Sequence, residues 1–80
     1  QRQFDEAERW YRQSLAIEER IGDKHGQAAS LYQLGMNAEG QGSILEAIAF
    51  YTRAEELVTN LNDPYHLEMV QSALKRVRGE

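Results

Sequence analysis

Eighty residues, 41% of them hydrophobic and 28% charged, make one small domain or a piece of one, and a chain of this size buries only about 60% of its unfolded surface, so its core must be thin. The absence of cysteine excludes a disulfide framework, thiolate zinc sites and thiol catalysis, and fits a reducing, cytoplasmic location. A net charge of −4 repels phosphate backbones and anionic membranes, and no apolar run approaches the roughly 18 residues of a membrane span, so neither nucleic acid nor a membrane is an expected partner.

The sequence opens at Gln1 without Met and in helical pattern at once, with no charged-then-apolar stretch, and is read as an excerpt of a longer parent chain in which a signal or anchor has room elsewhere. The first segment, 3–21, ends at Gly22-Asp23, where the glycine closes one helix and the carboxylate opens the next. In the second, 24–40, Ala28, Leu31, Leu34, Gly35 and Ala38 recur at three and four and form one apolar stripe. Gly40 and Gly42 flank a tight connection that tolerates left-handed backbone angles. Ser43 with Glu46 then has the form of a capping box and starts a helix at about Ile44. In that third segment, 44–61, the stripe of Ala47, Ile48, Tyr51, Ala54, Leu57, Val58 and Leu61 is wide, which implies a central helix with neighbours on two sides. Asp63-Pro64 is a second start signal, because proline at the first helical position loses no hydrogen bond there. The fourth segment, 64–78, carries only a narrow stripe, Leu67, Val70, Leu74 and Val77, and so one face in water. No segment alternates with period two, and the fold class is all-α with four helices.

The four segments are two copies of one unit. Sliding the chain by 40 positions lays Phe4-Asp5-Glu6-Ala7 on Ile44-Leu45-Glu46-Ala47, Trp10-Tyr11 on Phe50-Tyr51, Ile17 on Leu57, Ile21 on Leu61, Asp23 on Asp63 and Leu34 on Leu74. Residues 28–59 resemble a tetratricopeptide repeat through Leu34-Gly35, the Gly42 turn, Ala47, Tyr51 and Ala54. Leu31 stands where that family prefers tryptophan, Ala38 where it has tyrosine and Thr59 where a proline ends the repeat, and the offset of 40 exceeds the usual period of about 34. The longer unit and the connection Gly22-Asp23-Lys24-His25-Gly26-Gln27-Ala28 are similar to the extended repeats of kinesin light chains and of bacterial signalling proteins. The resemblance implies antiparallel hairpins stacked as a right-handed α-solenoid. In that frame residues 1–80 are one segment, with 3–21 the second helix of a preceding repeat, 24–61 a full hairpin, and 64–78 the first helix of a next repeat or a capping helix, Lys75 replacing the family's glycine.

The resemblance further implies a protein-interaction module that binds a peptide or helix on a concave face formed by the first helix of each pair. By position that face presents Tyr32, Gln33, Met36 and Glu39, joined by Met69, Ser72 and Arg76. The alternatives are that Tyr32 and Met36 pack against a neighbouring helix, and that the segment is a structural spacer or self-associating scaffold of a larger signalling protein. A patch around Phe4, Ala7 and Tyr11 is the expected surface for pairing with a second copy. Trp10 aligns with Phe50 and is read as a packing residue. His25 and His66 lie at helix starts without the spacing of a metal site, and the adjacent carboxylates Glu18-Glu19 and Glu55-Glu56 diverge on their helices and suit solvated faces better than acid/base work. Ser14, Ser30, Ser43 and Ser72 have no histidine at recognisable spacing, and the Gly40/Gly42 turn lacks the lysine of a phosphate loop. The basic Lys75-Arg76-Val77-Arg78 end is an ordinary complement to a helix C-terminus. No enzyme activity, cofactor or metal is therefore expected.

Overall fold

The computed structural model describes residues 2–80; Gln1, where the expected excerpt opens, lies outside them. Four helices follow one another, α1 (Arg2–Ile21), α2 (Lys24–Gly40), α3 (Ile44–Asn60) and α4 (Pro64–Arg78). Their bounds agree with the sequence segments to within a residue. Each packs on its chain neighbour, and together they form a slab of 34 × 32 × 16 Å. At that thickness no helix is far from solvent, as the size of the chain requires.

All four helices end in the same way. A left-handed residue closes each helix, Gly22, Gly42, Asn62 and Gly79, and the next N–H reaches back five residues: Asp23 to the Glu18 carbonyl, Ser43 to Ala38, Asp63 to Val58 and Glu80 to Lys75, at 2.8–3.1 Å. Asn62 adopts an angle that side chains seldom take, and asparagine tolerates it best. Asp23 and Asp63 then accept from the N–H of Gly26 (2.9 Å) and His66 (3.1 Å), as their place before a helix predicts. The capping box does not form. Ser43 stands at the N-cap with ψ 73°, against 91° and 86° for Asp23 and Asp63, and its hydroxyl takes no cap hydrogen bond. Gly40 is also not a turn residue. It is the last helical position of α2, and a Cβ there would stand 2.9 Å from the Phe4 ring.

The core runs through the slab as Leu15, Leu31, Leu34, Ala38, Ala47, Phe50, Tyr51, Ala54, Val70, Ala73 and Leu74. Tyr51, Ala47, Ala54 and Ala73 are completely buried. At the α2–α3 crossing a Cβ on Gly35 would lie 2.5 Å from Tyr51 Cε1, so glycine lets the ring and the α2 backbone touch. Two polar residues of α2 are buried as well. Ser30 Oγ donates to Glu18 Oε1 (2.7 Å) and Gln27 Nε2 to the Glu18 carbonyl (3.3 Å). Glu18 is thus drawn into the α1–α2 contact, which corrects its assignment to a solvated face.

Gly35→Ala should destabilise the chain by about 1–3 kcal/mol despite alanine's higher helix propensity, since the Tyr51 ring has no free space to move into. Gly40→Ala should be near neutral, because Phe4 is only half-buried near the start of α1 and can yield. Thermal unfolding followed by circular dichroism distinguishes the two.

Candidate functional site

The helices α2 and α4 lie side by side over α3 and enclose a cavity of about 320 Å³ lined by His25, Ala28, Ala29, Tyr32, Gln33, Val58, Asp63, His66, Met69 and Val70. Its floor is apolar because Ala28, Val58 and Val70 are core residues turned inward from three helices. Its rim is polar because it is made by the first turns of α2 and α4, where capping chemistry concentrates. The Asp63 carboxylate caps α4 and contacts His66 Nδ1 at 2.6 Å. The backbone N–H of His66, more than its ring, holds the Asp63 carboxyl below its ordinary range. Among the described residues no group of three or more His, Asp, Glu or Cys side chains could hold a metal ion.

The far end of the same groove is tied shut. Arg76 donates from Nε to Glu39 Oε2 (2.7 Å) and from Nη2 to Glu39 Oε1 (2.9 Å), and the Tyr51 hydroxyl donates to Glu39 Oε1 (2.9 Å). This two-pronged pair is the geometry in which a guanidinium binds a carboxylate best. Its hydrogen bonds hold the Glu39 carboxyl below the ordinary glutamate range, with partial burial opposing and the Tyr51 hydroxyl assisting. Burial and the neighbouring Glu39 carboxylate push the Tyr51 hydroxyl strongly upward, so it remains a donor at any physiological pH.

Of the residues expected on the concave face, Tyr32, Gln33 and Met69 line the cavity. Met36 and Ser72 are exposed on the same two helices, between the cavity and the ion pair in chain position. Glu39 and Arg76 are committed to each other, so Arg76 is not the free donor that its position suggests. Tyr32 is half-buried with its ring 5.5 Å from that of Tyr51, and it serves core and groove together. The pattern reading missed His25, Ala28, Ala29, Asp63 and His66 as one cluster. The 40-residue offset carries the signal, because stacked units set their helix starts side by side and so bring His25 and His66 to one rim.

Two expectations for α1 are corrected. Phe4, Ala7 and Tyr11 are half-buried: Phe4 over Gly40, its carbonyl accepting from Asn37 Nδ2 (2.9 Å), and Tyr11 against the core. Trp10 is 64% exposed and packs on nothing comparable to the surroundings of Phe50. The physical reason is the same for both. The helix shows its 4/7/11 face to α2, so its 10/17/21 face points away from the slab.

A tetratricopeptide repeat family model matches residues 1–60. The solution NMR structure of a designed protein, DA05, superposes with a TM-score of 0.88 at 19% sequence identity, over 94% of this chain and 75% of that one. That likeness bears on the fold alone. No curated protein matches the chain.

Because the Glu39 and Asp63 carboxyls both ionise more readily in the folded state, the stability they add is complete above their unfolded values and lost as pH falls through the folded ones. Unfolding midpoints should therefore be flat above about pH 5 and fall below it. Glu39→Gln should lower the neutral-pH midpoint and flatten that acid limb, which a melting series from pH 3 to pH 7 would show.

Proposed function

The chain belongs to the tetratricopeptide repeat family, a family of protein-interaction repeats, and from that premise we propose that it captures a peptide or helix of a partner protein in the groove between α2 and α4. The observation that supports this most is the cavity at the open end of the groove, of about 320 Å³, with an apolar floor and polar rim. Its volume suits one or two apolar side chains. Its rim offers the Gln33 amide and the two imidazoles to the partner's backbone, while the exposed Met36 supplies adaptable apolar contact further along. In this reading the groove binds and does not catalyse.

In the same proposal Lys24–Asn60 is the complete hairpin of an extended repeat, as in kinesin light chains and bacterial signalling proteins. The first helix then corresponds to the second half of a preceding repeat, and α4 to the first helix of a next repeat or a capping helix. The 40-residue offset, the Gly22–Ala28 connection and the exposed Lys75 at the position of Gly35 support it. The second reading, a spacer or self-associating scaffold segment, draws on a different observation, the uncovered face of α1.

Panning a displayed peptide library against the chain provides the test. Selected peptides should share an apolar anchor, and Ala29→Arg, which fills the cavity from an exposed position, should weaken them about tenfold or more with helicity unchanged. Binding that is indifferent to Ala29→Arg and to Met36→Ala would place the partner elsewhere.

A further inference from the structure

The Asp63 carboxylate that caps α4 also sets the hydrogen-bonding role of a second group in the cavity. Its Oδ1 accepts from the His66 N–H at 3.1 Å and its Oδ2 stands 2.6 Å from His66 Nδ1, so it holds both the backbone and the ring of one residue. An ionised carboxylate only accepts, so Nδ1 carries the proton in that contact. In the neutral imidazole Nε2, on the opposite edge of the ring, is left with its lone pair. Tyr65 steadies the same ring from another side, meeting it edge-on at 85° with centroids 5.0 Å apart. Both members of the pair line the cavity, and both present acceptors. Gln33 and His25 also line it, but an amide or an imidazole whose orientation is open offers a donor or an acceptor as required. His66 and Asp63 thus give the helix-start end of the cavity a fixed polarity.

Further along the two helices the walls change character. Tyr32 lies seven residues beyond His25, about 10 Å along the α2 axis, and it and Met69 are both half-buried there. Phenol and thioether are the types that contact aromatic rings specifically, edge-to-face and sulfur-to-ring. The volume of about 320 Å³ is about twice the ~150 Å³ that holds a benzene molecule. A side chain lying along this cavity, from the middle of the groove toward the helix starts, needs a flat apolar body and a hydrogen-bond donor at its tip. We infer that the side chain captured there is a tyrosine of the partner, its ring between Tyr32 and Met69 and its hydroxyl donating to His66 Nε2. This rests on the reading of the α2–α4 groove as a peptide site; it assigns His66 to the anchor and leaves Gln33 and His25 to the partner's backbone. Tryptophan carries its donor on the flank of the ring, away from the tip. Lysine donates at its tip, but the Asp63 oxygens that would attract it already accept from His66, and an aliphatic stem makes neither ring contact.

Two small probes test this without a known partner, N-acetyltyrosinamide and N-acetylphenylalaninamide. They are titrated over the millimolar range against the methyl NMR signals of Ala29, Val58 and Met69 at about pH 8.5, above the range in which imidazoles change charge. The tyrosine probe should bind about fivefold more tightly, the worth of one hydrogen bond. His66→Phe keeps the ring and the backbone cap but removes both nitrogens, and should bind the two probes alike with the helical signal unchanged. The nitrogen NMR spectrum of the His66 ring should show the proton on Nδ1, with Nε2 shifting as the tyrosine probe is added. Equal affinities in the unaltered chain, a preference that survives His66→Phe, a proton on Nε2, or no binding of either probe at the cavity each overturns the inference. Library peptides anchored by leucine or lysine overturn it too, while peptide capture itself stands. Probes that bind as expected to a chain that selects no peptides uphold the tyrosine site and count against capture alone.

Discussion

The ring of Tyr51 occupies the space that a side chain at position 35 would fill, and most of what is specific about this chain follows from that substitution of one residue's ring for another's missing Cβ. With Gly35 beneath it, Tyr51 is completely buried at the α2–α3 crossing, and its ring edge meets Tyr32 on the groove side. Burying the phenol obliges its hydroxyl to find an acceptor, because an unpaired one would cost about 1–3 kcal/mol. Glu39 is that acceptor. A carboxylate held there needs a cation more than it needs water, and Arg76 reaches across from α4 to supply it. One close backbone contact between α2 and α3 thereby fixes where α4 lies against α2, and so fixes the width of the groove between them.

The two inter-unit contacts show how one geometry is met by two chemistries. Between α1 and α2 the Glu18 carboxylate and carbonyl receive Ser30 and Gln27; forty residues on, the same positions are Val58, Val70 and Leu67. The polar version satisfies every buried group it contains, with no buried side-chain N or O left unpartnered among the described residues. The apolar version forms part of the cavity floor: Val58 and Val70 line it. Had the second unit kept the Glu18–Ser30 pair, that floor would carry a carboxylate, and the groove would lose its place for an apolar side chain.

Capping residues made the fold legible. Asp23, Asp63, Gly22 and Gly42 act through a few neighbouring backbone atoms, so their meaning survives without tertiary information. Ser43 has the sequence form of a cap, but its hydroxyl takes no cap hydrogen bond. The site was less legible because its key facts are relations between helices. Period and spacing place Glu39 and Arg76 on one face, but only the stack brings them into a bidentate pair. Polar Gln27, Ser30 and Glu18 break the apolar periodicity that sequence patterns follow, and yet they are interior. Trp10 misled in the opposite sense. Its alignment with Phe50 identified the position correctly, but burial belongs to the neighbour that covers a position, and the neighbour of Phe50 has no counterpart over Trp10 within these residues.

That asymmetry bears on how a short stack of repeats is limited. Each unit buries one face against the next, so any such stack presents two unlike ends, and each must be polar or be covered. On α4 the equivalent face is polar: Lys75 stands where Gly35 receives the Tyr51 ring, and Gln71 stands where Leu31 is buried. At the α1 end the apolar residues of an interior position are retained. The face of α1 thus keeps the apolar character of an interior position in Trp10, Ile17 and Ile21, whereas the equivalent Phe50 and Leu57 of α3 lie against α1 and α2.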